Sequence, residues 1–297
     1  MNLQGQHILK VEQFDKDTLL SLFELAKEME GVKDGDQMKG KLMATLFYEA
    51  STRTRFSFEA AMLRLGGNVL SNADMNETSS AKKMETLYDT GKVVSQMADV
   101  IVMRHPEAGK VEELSKGSDV PVINGGDGSN DHPTQALLDL YTMWKHFGKI
   151  DALTIGFVGD LKNSRVLRAN AKMLSLFDVK FVKVSPEELK FSIDVPGDET
   201  DDLSSVIADL DVLSINRIQK ERFENPEDAE KHRGKFVLSK EILAKSKDEM
   251  IVLCPLPRME ELPVEIDGDA KCKYFEQIGN GVAMRMALLS KVLGKFY

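Results

Sequence analysis

Apolar positions along the chain follow two patterns: short continuous apolar runs, and longer stretches with apolar residues three and four apart. Asp17 to Glu30 has the helical period, through Leu19, Leu20, Phe23, Leu25 and Ala26. Lys41 to Tyr48 reads as a buried strand, and Phe56 to Leu65 as a helix that Gly66-Gly67 halts. Val100 to Met103 and Val120 to Ile123 are two more short strands. His132-Pro133 opens a helix from Thr134 to Phe147, because proline suits the first helical turn, and Gly148 closes it. The series then restarts with strand Leu153 to Val158, a turn at Gly159-Asp160, a helix from about Ser164 to Phe177, and strand Lys180 to Val184. Strands Asp211 to Ile215 and Met250 to Leu253 come next, and Val282 to Lys295 is helical.

Strands alternating with helices predict an α/β fold of two domains, each a parallel sheet flanked by helices, with a ligand cleft between them. Residues 1–148 form the expected first domain and 149–280 the second, with the C-terminal helix, about 281–297, packing back on the first. A length of 297 residues suits two cores, and neither an internal repeat nor a low-complexity tract interrupts them. Such sheets bind ligands beyond the carboxyl ends of their strands, so the candidate positions are those just after Tyr48, Met103, Ile123, Val158, Ile215 and Leu253.

Composition excludes several classes of function. Lys and Arg number 39 against 48 Asp and Glu, a formal net charge of −9. That balance disfavours a general nucleic-acid or membrane-surface binder, so an anionic ligand must meet positive charge gathered locally. Two cysteines, Cys254 and Cys272, are too few for a disulfide framework or a structural zinc site and suit a reducing cytosol. Met1 to Lys10 carries no basic-then-apolar leader, and nowhere do eighteen apolar residues run together, so neither secretion nor a membrane span is expected.

Residues with chemical potential lie after the strands. Ser51-Thr52-Arg53-Thr54-Arg55 comes after the first strand and before an apolar-periodic helix. Hydroxyls, guanidinium groups and unpaired first-turn N–H groups there suit a phosphate or carboxylate; alone, the run reads equally as a helix cap with two solvated arginines. Arg104-His105 ends another strand, and His132 and Gln135 bracket a helix start. Taken singly each is ordinary, but together they are donors at one sheet edge, suited to a developing oxyanion or an amide. Arg165 after the Gly159-Asp160 turn, with Arg217-Ile218-Gln219 after the strand ending at Ile215, forms a second candidate anion site. The polar stretch Asn72 to Lys83, with Ser79, Lys82 and Lys83, reads by itself as an exposed connection.

Longer motifs identify the chain as resembling a known family. Phe47 to Glu59 (FYEASTRTRFSFE) resembles the carbamoyl-phosphate signature of the transcarbamoylases, and Met103 to Pro106, Gly126 to Gln135 and Gly159-Asp160-Leu161 recur in the matching order. The resemblance covers nearly the whole chain. Arg217 to Arg222 and Pro255-Leu256-Pro257-Arg258 are similar to the motifs of the aspartate-using branch, and the Ser-Met-Gly loop of the ornithine-using branch does not occur. Arginines suit a substrate with two carboxylates and would repel an ornithine ammonium.

The resemblance implies transfer of the carbamoyl group of carbamoyl phosphate to the α-amine of L-aspartate, in pyrimidine biosynthesis, with no cofactor and no metal. It assigns the phosphate to Ser51, Thr52, Arg53, Thr54 and Arg104, and carbonyl polarisation to Thr54, Arg104 and His132. Gln135 and the carbonyls of Leu256 and Pro257 would hold the carbamoyl amide, and Arg165, Arg217, Gln219 and Lys83 the aspartate. It further implies a homotrimer with shared sites, Ser79 and Lys83 reaching in from the adjacent chain, and leaves open whether separate regulatory chains join it. Glu49 would close the domains through Arg165 and Arg222. Two positions depart from the family pattern: Cys254 precedes Pro-Leu-Pro where histidine is common, and Met84 comes after Lys83 where glycine is common.

Overall fold

The structure, a computed structural model, describes residues 2–77, 84–223, 225, 227, 230–232 and 234–294. In the first half run α1 (Lys16–Met29), β1 (Leu42–Phe47), α2 (Thr52–Arg64), β2 (Asn68–Asn72), α3 (Leu87–Ser95), β3 (Val100–His105), α4 (Lys110–Gly117), β4 (Val122–Asp127) and α5 (Pro133–Phe147). The second half continues with β5 (Thr154–Gly159), α6 (Arg165–Leu174), β6 (Lys180–Val184), β7 (Asp198–Thr200), α7 (Leu203–Val206), β8 (Val212–Asn216), α8 (Lys240–Leu243), β9 (Ile251–Leu253) and α9 (Glu276–Leu293). Contacts divide the chain into one unit of Met1–Tyr141 with Ile278–Tyr297 and a second of Thr142–Gln277.

The first unit holds a sheet ordered β2-β1-β3-β4 and the second a sheet ordered β7-β6-β5-β8-β9, every pairing parallel. Parallel strands need long crossovers, which the helices supply. In each sheet the chain first steps to one side of an inner strand and later returns to its other side. The strand order thus reverses between β1 and β3 in the first unit and between β5 and β8 in the second. At these reversals the crossovers leave in opposite directions and a crevice opens beyond the carboxyl ends. Phe47 pairs with Arg104 across the first, and Gly159 with Asn216 across the second.

The helix expected from Phe56 begins at Thr52, one turn earlier. Its first turn is Thr-Arg-Thr-Arg, so the apolar period that betrays a helix is absent there. The last helix likewise begins at Glu276, ahead of Val282, because its opening turns bury polar residues: Gln277 is 0% and Asn280 3% exposed. On α1 the fully buried positions are Leu19, Leu22, Phe23, Ala26 and Met29, while Leu20 and Leu25 are half-buried. Edge strands β2 and β7 and helices α3 and α4 were not separated by apolar pattern, the two strands being short and largely exposed.

Gly159 fixes the second reversal. Its φ is +104°, and a Cβ there would lie 2.0 Å from the Asn216 carbonyl oxygen. Gly159→Ala is expected to cost about 2–4 kcal/mol, strain and overlap together, read as a lower denaturant midpoint at unchanged m-value.

Candidate active site

In the first unit, β1 delivers the chain to Ser51, which stands at the N-cap of α2 but makes no side-chain cap bond. Asp15, Thr86 and Ser164 do cap α1, α3 and α6 through Thr18, Asp89 and Leu167 N–H. The α2 amide terminus thus lacks the side-chain cap that those helices have, with the positive end of the helix dipole behind it. Thr52 and Arg53 are exposed, whereas Thr54 is buried. Arg55 turns away: it donates to Ser71 Oγ at 3.1 Å and lies near Glu59 and over the Phe56 ring.

Arg104 ends β3 beside β1, and its Nε donates to Glu49 Oε2 at 2.9 Å. The ion pair holds a half-buried guanidinium at the crevice. His105, next along, serves structure. Its Nδ1 accepts from Glu107 N at 3.0 Å, its ring lies 4.9 Å from Tyr48, and burial pushes its pKa down. His132 is buried, and its carbonyl accepts from Gln135 and Ala136 N–H, so it sits at the N-cap of α5 with Pro133 in the first helical position. Gln135 donates Nε2 to Asp139 Oδ1 at 2.8 Å. The structure thus brings Ser51, Thr52, Arg53, Thr54, Arg104, His132 and Gln135 into one unit, the first five beside the strands that bound its reversal and the last two after β4, the neighbour of β3.

The second unit carries the second candidate group. Arg165 opens α6 directly after Ser164, and Arg217 and Gln219 come after β8 on the far side of β5. Between them lies a group that the sequence marked only as a turn: Asp160, 0% exposed. Its Oδ2 accepts from Gln219 N at 3.1 Å and its Oδ1 from Asn163 N at 3.0 Å, tying both loops of the reversal together. Arg217 also lines a cavity of about 140 Å³ with Lys220, His232, Phe236 and Glu261. Burial raises the Glu261 pKa, against N–H donation from Met259 and the Arg217 charge. Only a buried acid among charged loops would have revealed it, and the apolar pattern carries no such signal.

Beyond β9, Cys254 is fully buried and its Sγ accepts from Leu256 N at 3.4 Å, doing there what a side-chain acceptor must do to turn the chain. Leu256 has φ +55° and precedes a cis proline. Arg222 ends a short 3-10 turn. Ser79 and Lys83 lie outside the described residues, and Glu49 meets Arg104 within its own unit.

Residues 6–145 match the family described as aspartate/ornithine carbamoyltransferase, carbamoyl-P binding domain, and residues 151–292 match its Asp/Orn binding domain. The chain belongs to the aspartate/ornithine carbamoyltransferase family. Within it, the aspartate carbamoyltransferase catalytic subunit of Thermococcus kodakarensis is 43% identical over 307 residues, covering 99% of each chain. The multifunctional protein CAD of Squalus acanthias is 45% identical over 305 residues, 98% of this chain but 14% of that protein's length. A crystal structure of aspartate transcarbamoylase from Trypanosoma cruzi, in complex with carbamoyl aspartate and phosphate, superposes with a TM-score of 0.92. It is 36% identical and covers 98% of this chain and 97% of that one.

Met84 bears on the loop that precedes it. It is 89% exposed with φ +60°, the left-handed conformation that suits the glycine common in the family. The strain of about 1–2 kcal/mol is partly offset by the greater unfolded-state freedom of glycine. Met84→Gly is therefore expected to raise stability by up to about 1 kcal/mol, and β-branched Met84→Val to lower it by about 1 kcal/mol, measured by chemical unfolding.

Proposed function

We infer that the chain is a carbamoyl-group transferase acting on aspartate. It transfers the carbamoyl group of carbamoyl phosphate to the α-amino group of L-aspartate, giving N-carbamoyl-L-aspartate and phosphate, an early step of pyrimidine biosynthesis. One observation carries the residue assignment: each sheet places cationic and amide donors at its own reversal of strand order, so one unit offers a phosphate site and the other a dicarboxylate site.

In this reading Ser51, Thr52, Arg53 and Thr54 receive the phosphate at the α2 terminus, joined by Arg104. Thr54, Arg104 and His132 donate to the carbamoyl oxygen, which gains charge as the aspartate nitrogen adds to the carbon. Gln135 and the carbonyls of Leu256 and Pro257 hold the carbamoyl amide. Arg165, Arg217 and Gln219 bind the two carboxylates and aim the amine, and such orientation is worth roughly 7–11 kcal/mol of barrier at best. The C–O bond then breaks with its electron pair on phosphate, which is also the base at hand for the amine proton. No protein nucleophile takes part. Glu49, released from Arg104 as phosphate arrives, is assigned the closing role toward Arg165 and Arg222, and closure excludes water from carbamoyl phosphate.

The reading includes a homotrimer in which Ser79 and Lys83 complete the neighbour's site. What supports it is the surface of the first unit: Phe56 and Leu63 on α2, Leu70 on edge strand β2, and Tyr88, Val93 and Met97 on or beside α3 are all 45% exposed or more. Exposed apolar side chains beside an open strand edge suit association. Separate regulatory chains fit the description of the Thermococcus kodakarensis relative as a catalytic subunit. No helix among the described residues is long and apolar enough to cross a membrane, and the two free thiols suit a cytoplasmic setting.

Carbamoyl phosphate supplied with L-aspartate or L-ornithine in parallel tests the chemistry. The expected products are carbamoyl-aspartate and phosphate, lost on Arg53→Ala; citrulline would overturn the aspartate assignment. Mixing inactive Lys83→Ala chains with inactive Arg53→Ala chains should restore activity through hybrid sites. No recovery would remove the shared-site reading and leave the reaction standing.

A further inference from the structure

Helix α9 carries a guanidinium that the proposed reaction does not use. Arg285 is 3% exposed, and burial pushes its pKa down to about 10, against the nearby charge of Asp139. Its Nη1 donates to Ser57 Oγ at 2.9 Å and to the Gly281 carbonyl at 3.3 Å, Nη2 reaches Thr134 Oγ1 at 3.5 Å, and its Cζ lies 4.9 Å from the centre of the Phe58 ring. Ser57 and Phe58 belong to α2, one turn beyond Arg53 and Thr54. Thr134 belongs to the first turn of α5, between His132 and Gln135, and Asp139 on the same helix accepts the Gln135 amide.

Burying a cation is costly, and an apolar side chain of similar volume often serves a core as well or better. The cost is understandable where both of the helices it touches must present ligand donors at one spacing. We propose that Arg285 is a positioning residue that locks the opening turns of α2 and α5 together, setting the phosphate donors at the distance that carbamoyl phosphate requires from His132 and Gln135. The inference rests on the assignment of those residues to carbamoyl phosphate. A rigid fork suits the task, since it grips one hydroxyl on each helix at once, which a lysine ammonium on its flexible stem does less well.

The role predicts an asymmetry between ligands. Inorganic phosphate needs the α2 terminus and Arg104 alone, whereas carbamoyl phosphate needs α2 and α5 in register. In the intact chain, Arg285→Lys and Arg285→Met should lower carbamoyl phosphate affinity and kcat by about 10- to 100-fold, the scale of a misplacement near 1 Å, with phosphate affinity changed by less than about 3-fold. Thr134→Val and Ser57→Ala each remove one tether without emptying the core, and each should give a smaller loss, about 3- to 10-fold, of the same kind. Guanidinium added at millimolar concentration should restore part of the Arg285→Ala deficit. Titration calorimetry with phosphate and with carbamoyl phosphate, alongside steady-state rates and thermal melts, reads all of these.

Parallel loss of phosphate and carbamoyl phosphate affinity, or unchanged carbamoyl phosphate affinity and kcat in Thr134→Val and Ser57→Ala, overturns the positioning role. If Arg285→Met does not fold, those two variants decide the matter. Arg53→Ala separates the two levels: retained phosphate binding in that variant sinks the site assignment itself, while its loss together with a wild-type Arg285→Lys removes only the role of Arg285.

Discussion

A chain with a net charge of −9 has to hold anions against its own field, and the rest of the architecture answers that requirement. Long-range attraction is not available, so affinity must come from donors at hydrogen-bond distance, screened from the surrounding carboxylates. A parallel sheet provides such places at its carboxyl edge, where strands end on helix starts and backbone N–H groups point outward. Both sheets place their arginines there: Arg53 and Arg104 around β1 and β3, Arg165 and Arg217 around β5 and β8. Two sheets of the same kind thus offer two places suited to anions, with no need for a basic surface.

Holding donors in place falls to buried polar groups. Asp160 accepts from both loops of the second reversal, and in the first unit Arg285 donates to α2 and α5, the helices that follow β1 and β4. Each is buried and touches elements that carry candidate donors, an acid between the loops of Asn163 and Gln219 and a guanidinium beside the helix that carries Gln135. Asp160 accepts from backbone N–H groups and Arg285 donates through both Nη atoms, which lowers the cost of burying them, while the Arg285 Nε is buried without a hydrogen-bond partner among the described residues.

Strands and helices packed on apolar faces were legible in the sequence, because burial and periodicity are the same fact seen from two sides. The α/β class and most inner strands came from it. Where polar residues are buried for function the signal fades. The first turn of α2 is all polar and carries the candidate phosphate donors, and the opening of α9 buries Gln277 and Asn280, so both helices start earlier than their apolar period. The candidate site residues are legible as residue types at strand ends. Their partners Asp160, Asp139 and Arg285 are not, since a buried charge is recognised only once its counter-groups, distant in sequence, are seen around it.

Clustered arginines repel one another in the absence of substrate, and the structure meets this with carboxylates placed against them. Glu49 takes Arg104 Nε, and the Arg217 charge acts on buried Glu261, whose pKa burial nonetheless raises. Glu49 steadies the Arg104 guanidinium before a ligand comes, so less side-chain entropy is lost on binding. It also sets a threshold. A ligand that claims Arg104 must outcompete a carboxylate already seated at 2.9 Å, which a phosphate does through several oxygens shared with the α2 terminus and a monovalent anion of one contact does not. In the proposed assignment, selection for an acyl phosphate over smaller anions therefore arises from the counter-charge as much as from the arginine.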